Sequence, residues 1–173
     1  YRFSSNYADA GKVALDALEQ APRFNRWMYD SIRPHLGNRI AELGSGRGNL
    51  SKLLRKHGNV LLTDYRDDYL GELEAKWGHL KTVSVARLDL AAKEQFQTLS
   101  EFEPDTVVCL NVLEHIDNDS AVLRDLREAL PANCRVVFLV PFNPKLYSEF
   151  DRQIGHFRRY QTGELEEKMT TAG

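Results

Sequence analysis

Three glycines spaced two residues apart, Gly44, Gly46 and Gly48, lie in the stretch from Ile40 to Leu50, IAELGSGRGNL. Glycine tolerates positive φ and lets a ligand approach the backbone closely, so such a cluster at a turn is suited to holding a small molecule against main-chain atoms. The spacing almost fits the dinucleotide fingerprint G-x-G-x-x-G, but the third glycine comes one residue early and Asn49 stands where Gly or Ala is wanted. The G-K-[ST] ending of a phosphate-binding loop is absent. Glu42 precedes the first glycine by two residues and weakens a pyrophosphate site further, because like charges would meet there. A ligand bearing ammonium or hydroxyl groups suits that carboxylate better. The alternative is a tight turn with no ligand.

Further candidates each follow an apolar run. Asp64 closes LLTD about 20 residues after Gly44, where a carboxylate can accept both ribose hydroxyls of a nucleoside. It could equally cap a helix after Tyr65, a task open to Asp67 or Asp68 as well. Asp89 closes ARLDL and can accept the exocyclic amine of adenine while Leu90 packs on the base, or it can cap a helix beginning near Ala91. The run VVCLNVLEHIDND brings Asn111, Val112, Leu113, Glu114 and His115 to the end of another apolar segment. His156 sits among aromatic and basic residues in FDRQIGHFRRY. A histidine titrating near neutrality is suited to acid–base work, so His115 and His156 are the candidate bases. Structural roles stand beside these: His115 as a partner of Glu114 or the backbone, Arg158 and Arg159 as solvated charges, Phe157 and Tyr160 as loop anchors. His35, His57 and His79 fall at expected helix ends or in loops with no motif nearby. No metal-ligand spacing is visible along the sequence.

The elements that must position these residues follow from hydrophobic periodicity. Amphipathic stretches predict helices at about Ala8 to Gln20 and about Phe24 to His35, separated by Pro22, with Pro34 helping to end the second. Strands are expected at Arg39 to Leu43, Val60 to Thr63, Thr82 to Leu88, Thr106 to Leu110 and Arg135 to Val140. Leu50, Leu53 and Leu54 share one helical face; Val122, Leu123, Leu126 and Leu130 share another; a last helix is expected at about Thr162 to Ala172. Alternation of strands and helices, with strands that are continuously apolar, predicts an α/β fold with a mainly parallel sheet covered on both faces. Such sheets bind ligands beyond the carboxyl ends of their strands, and every candidate above falls there.

Composition sets the outer bounds. A chain of 173 residues with 42% hydrophobic content predicts one domain with a sizeable core. A formal charge of -2 gives no excess of cations to draw it to nucleic acid as an obligatory partner. No apolar run approaches the roughly 20 residues of a membrane span and no signal-peptide pattern opens the chain, so a cytoplasmic protein is expected. Cys109 and Cys134 lie in β-branched apolar runs and read as free core thiols.

Taken in order, E-x-G-x-G-x-G, an acidic residue closing the second strand, D-L closing the third and N-V-L-E-H after the fourth resemble the class I S-adenosylmethionine-dependent methyltransferases. The resemblance covers about Arg39 to Val140 and continues into GHFRRYQTGEL. It implies a Rossmann-like doubly wound fold. It also implies that Glu42, Gly44, Gly46 and Gly48 border the methionine part of the donor, Asp64 the ribose, and Asp89 with Leu90 the adenine. Asn111, Val112 and Leu113 would line the sulfonium region. The implied activity is transfer of a methyl group from S-adenosylmethionine to an oxygen or nitrogen of a small-molecule or metabolite-linked acceptor. The implied division is an N-terminal helical segment or lid over 1–37, a donor-binding core over 38–140, and an acceptor-side loop with the last helix over 141–173. Tyr7, Phe24, Trp27 and Tyr29 are the aromatics of that lid, or else ordinary core residues. The last two strands of the family's usual seven are expected to be missing from this chain. A non-catalytic binding module of the same fold is the alternative. A nicotinamide-dependent oxidoreductase is a weaker one, because no Y-x-x-x-K pair is present to polarise a carbonyl.

Overall fold

The computed structural model describes residues 20–173. The helix expected over 8–20, apart from turn residue Gln20, and Tyr7 of the proposed lid lie outside the described residues.

Five parallel strands form the sheet: β1 (Arg39–Leu43), β2 (Asn59–Asp64), β3 (Val83–Arg87), β4 (Thr106–Leu110) and β5 (Arg135–Leu139). Their order is β3-β2-β1-β4-β5. The strand order reverses between β1 and β4, which pair directly with Leu43 beside Cys109. A crevice opens at such a reversal because the connections leave to opposite faces of the sheet. This is the expected doubly wound α/β fold, with five strands among the described residues.

Period-two alternation feeds two separate cores. Ala41, Leu43, Leu61, Val107 and Cys109 point to one face and pack with Leu99, Leu123, Leu126 and Tyr160. Ile40, Val60, Leu62 and Val108 point to the other and pack with Tyr29, Ile32, Leu54 and Leu73. The second face is covered by α1 (Pro22–Ile32), α2 (Ser51–Leu54) and α3 (Asp67–Trp77); the first by α4 (Gln97–Phe102), α5 (Asp119–Ala129) and α7 (Glu164–Ala172). A short α6 (Glu149–Gln153) belongs to the loop after β5.

Several boundaries differ from expectation. The expected helix from Phe24 begins two residues earlier, at Pro22, because the fixed φ and missing N–H of proline suit a first helical turn, and it ends at Ile32 with a 3-10 turn over Arg33–His35. The segment around Leu53 forms only four helical residues before the chain turns into β2. Periodicity did not single out α3, α4 or α6: α3 buries only Tyr69 and Leu73, and α4 and α6 have six and five residues, too few for a clear stripe. Both cysteines are free; Cys109 is buried in β4, whereas Cys134 precedes β5 and is half-buried.

Candidate functional site

The glycine loop is fastened to the end of β2. Gly44, Gly46 and Gly48 all have positive φ, 67°, 52° and 81°. The Ser45 N–H donates to the Thr63 carbonyl at 2.8 Å, the Thr63 hydroxyl donates to the Glu42 carbonyl at 2.8 Å, and the Gly46 N–H donates to Asp64 Oδ2 at 2.9 Å. The three glycines do different work. A Cβ on Gly44 would lie 2.5 Å from Val112 Cγ2, so the loops after β1 and β4 meet across the strand reversal. A Cβ on Gly48 would lie 2.4 Å from the Trp77 ring, so its missing side chain makes room for α3.

Glu42 and Asp64 are both buried here, about 5% exposed each. Burial pushes the Glu42 carboxyl up to about 7; hydrogen bonds from Ser51 and Ser45 oppose this and the nearby Asp64 charge adds to it. Burial also raises Asp64, against the backbone N–H groups of Arg66 and Gly46 that hold its charged form. The carboxylate does not cap α3: its Oδ1 accepts the Arg66 N–H at 3.0 Å, and α3 begins without a side-chain cap. Arg66 itself is engaged by Asp68, with Nη2 to Oδ2 at 2.7 Å. At the end of β3, Asp89 accepts the Ala91 N–H at 2.9 Å and so shapes the turn, while Leu90 is buried in the core.

After β4 the chain turns at Asn111, whose φ of 53° is unusual for a residue with a side chain. Asn111 Nδ2 lies 3.9 Å from Met28 Sδ, which brings α1 against this loop. Of the aromatics assigned to a lid, Tyr29 is a core residue bonded to His57 Nε2, whereas Phe24 and Trp27 stack on each other and are exposed. Leu113 is completely buried, and so is Glu114, neither of whose carboxylate oxygens has a hydrogen-bond partner. Burial pushes Glu114 up to about 8.

His115 and His156, far apart in sequence, are neighbours: their rings meet edge to face with centroids 4.6 Å apart. Burial lowers His115 to about 4, and burial also lowers His156, in part offset by Asp151. His156 Nδ1 lies 3.0 Å from Asp151 Oδ1, and its Nε2 lies 3.8 Å from Glu114 Oε1. Asp151 is placed by the capping box of α6, in which its carboxylate accepts from the Ser148 N–H and hydroxyl at 2.9 and 3.0 Å. Arg159 completes the set with two hydrogen bonds to Asp151, 2.8 and 2.9 Å long. Although burial works the other way, those bonds hold Asp151 well below the usual carboxylate range.

Arg158 and Arg159, for which solvated charges were one alternative, are locks. Arg158 donates to the carbonyls of Ile116 and Asp117 and pairs with Asp119 at 3.2 Å, while the Phe157 N–H donates to the Glu114 carbonyl at 2.8 Å. Tyr160 is an anchor, the structural alternative of the two, buried with its hydroxyl 3.0 Å from Asp119 Oδ2; Phe157 is half exposed, with the Arg158 guanidinium 5.9 Å from its ring centroid. Sequence reasoning did not bring together the two buried carboxylates, Glu114 and Asp151, on either side of His156. Only the adjacency of E-H and D-x-x-x-x-H pointed toward them.

A family model described as a methyltransferase domain matches residues 41–136, more than half of the chain. The chain belongs to this methyltransferase domain family. Among curated proteins, the methyltransferase domain is 27% identical over 123 residues to the ubiquinone biosynthesis O-methyltransferase of Aeromonas salmonicida (strain A449), covering 70% of this chain and 51% of that one. It thus spans about half the length of that relative. Among solved structures, the N-terminal domain of EvdMO1 with SAH bound superposes with a TM-score of 0.62 at 19% identity, covering 88% of this chain and 70% of that one. An S-adenosylmethionine-dependent methyltransferase from Mesorhizobium loti superposes with a TM-score of 0.64 at 18% identity, covering 84% and 79%. These likenesses place the methyltransferase domain in the same fold. No described helix is long and apolar enough to cross a membrane.

Proposed function

We propose that this methyltransferase domain binds S-adenosylmethionine in the crevice at the β1/β4 reversal and transfers its methyl group to an oxygen of a small-molecule acceptor. The observation that carries the donor assignment is the pair of buried carboxylates, Glu42 and Asp64, flanking a loop whose three glycines all have positive φ. A pyrophosphate would meet two negative charges there at low dielectric. S-Adenosylmethionine brings an ammonium, a sulfonium and two ribose hydroxyls, and no phosphate. Gly44, Gly46 and Glu42 would border its methionine part, Asp64 the ribose, Asp89 with the Leu90 backbone the adenine, and Asn111 with Val112 the sulfonium.

The donor already carries an activated methyl group, so the protein must mainly align the acceptor with the S–CH3 bond and exclude water. The acceptor oxygen forms the new C–O bond as the S–C bond breaks, and the electron pair of the broken bond neutralises the sulfonium. The oxygen must also lose a proton. His115, His156 and Glu114 stand together at the rim of the β4 loop and form the only grouping among the described residues that combines imidazoles with an unpartnered carboxylate. An oxygen acceptor is favoured over nitrogen by the curated O-methyltransferase relative. A small molecule is favoured over nucleic acid by the acidic balance of the chain. The cytoplasm, where the donor is made and thiols such as Cys109 stay free, is the compartment that fits.

The test is isothermal titration of the full chain with S-adenosylmethionine, S-adenosylhomocysteine and NADH. Micromolar binding of the first two with none of the third is expected. Binding of NADH alone would overturn the donor assignment. Incubation with isotopically labelled donor and fractionated cell extract then identifies the acceptor, and label confined to macromolecules would overturn the small-molecule reading.

A further inference from the structure

Glu114 poses a problem that the methyl donor does not solve. Its carboxylate is fully buried, and both oxygens lack any hydrogen-bond partner. A buried polar group left unsatisfied costs about 1 to 3 kcal/mol, and an ionised one more, so a native site that retains it has a partner to offer. The nearest candidate, His156 Nε2, is 3.8 Å away, beyond hydrogen-bond range. That separation is close to the roughly 3 to 4 Å between two ligand atoms bound to one small cation at about 2.0 to 2.2 Å. His115 offers a third ligand atom, and one atom from each of the three residues lies within 4.8 Å of the others.

We infer that Glu114, His115 and His156 bind a divalent transition-series cation of the zinc class. The ligand set is two imidazole nitrogens and one carboxylate oxygen, which suits such ions and leaves at least one position open. The surroundings of His156 support the assignment. Its Nδ1 faces Asp151, which Arg159 and Ser148 hold ionised and fixed, so the proton sits on Nδ1 and the lone pair on Nε2 faces Glu114. A carboxylate gripping the far nitrogen of an imidazole is the usual support of a metal-bound histidine. Closure of the three groups by about 1 Å completes the shell, and the loop carrying His156 is pinned to the loop carrying Glu114 by the Phe157 N–H bond.

This inference rests on the proposed methyl transfer only for what the open position is for: an acceptor hydroxyl bound there would release its proton to solvent more readily, since a cation lowers the pKa of the oxygen it holds. In that state the two histidines are ligands and not bases.

The experiment is equilibrium dialysis of the full chain against zinc, followed by elemental analysis, with parallel calorimetric titrations of zinc and of S-adenosylmethionine. One zinc per chain is expected. Glu114→Gln and His156→Ala should each weaken zinc at least tenfold, and Asp151→Asn should weaken it about 10- to 100-fold without removing a ligand. Circular dichroism checks that each variant is folded, and His115→Gln serves as the substitute for any that is not. No stoichiometric zinc, or zinc uptake indifferent to these changes, overturns the inference. Donor binding that persists without zinc uptake overturns it alone, whereas zinc uptake without donor binding leaves it standing and overturns the methyltransferase reading.

Discussion

The two sides of the crevice are built by different means. On the side proposed for the donor, Glu42, the glycines, Asp64 and Asp89 are all held by short-range bonds at the ends of β1, β2 and β3. The sheet that carries them is determined by strand pairing, so their mutual positions follow from the register of Leu43 with Thr63 and Cys109. On the other side, Glu114 and His115 depend on Asp151, His156 and Arg159 from a loop more than 30 residues later, as their numbering shows. That half is an assembly of side chains held by charge, with little regular backbone beneath it. A donor common to many reactions can be bound by the scaffold itself, while the group that differs between enzymes is met by a loop.

If this contrast is right, changes on one side should leave the other intact. The largest effect is expected from Gly46→Val. The position is buried at φ 52°, a conformation that a β-branched residue avoids, and its N–H holds Asp64. Donor affinity should fall more than about 100-fold by calorimetry, with the helical circular dichroism signal retained. Unchanged affinity would sink the donor assignment.

His156→Ala should do the opposite. The rate of methyl transfer should fall by about 100-fold or more, with donor affinity within about twofold of the parent, because the residue acts on the acceptor's oxygen. A matching loss of donor affinity would mean that the two sides are not separable.

Asp64→Ala should weaken the donor by roughly 1 to 3 kcal/mol, through loss of a charged acceptor for the ribose and release of the Gly46 N–H. A fall in melting temperature with affinity spared would make Asp64 a purely structural residue.

The most gradual effect is the pH response of Glu42. Its folded value near 7 lies above the ordinary 4.5, so it contributes stability that is complete below 4.5 and is lost as the pH rises through 7. Between those limits the difference amounts to at most about 3 kcal/mol. A donor ammonium needs the ionised form, so donor affinity should rise from pH 6 to 8 and then level off. Glu42→Gln should flatten both the stability profile and the affinity profile, and a parent profile that is already flat would remove Glu42 from the donor site.

The same contrast explains what could be read from the sequence. β4 was legible to the residue because VVCL is a continuous apolar run, and β1 because its short stretch RIAEL is cut off sharply by the glycine loop that follows. Glu42, Gly46 and Asp64 were legible because their places relative to strand ends are set by local geometry. Even there, Gly48 reads as one of three like glycines although its neighbour is Trp77, a contact that no linear pattern encodes. Asp151 and Arg159 were illegible for the stronger reason that charged residues in a loop after the last strand look solvated, and only the folded chain shows them nine-tenths or more buried and three-quarters buried, respectively. The cluster of Glu114, His115 and His156 was hidden likewise, since its third member arrives from a distant segment.

Phe142 and Tyr160 form an isolated parallel bridge, with the Tyr160 N–H bonded to the Pro141 carbonyl and the Asn143 N–H to the Tyr160 carbonyl. The segment between them therefore begins and ends at one point on the body of the protein, like a cartridge in a socket, and it is latched near its end by the Phe157 N–H on the Glu114 carbonyl and by Arg158 on the Ile116 and Asp117 carbonyls. Residues before Phe157 can differ while the chain keeps its path on either side, provided that these latches and the hold of Tyr160 on Asp119 are kept. If the proposed division of the crevice holds, swapping this segment between members of the family should change the acceptor and leave the affinity for S-adenosylmethionine as it was.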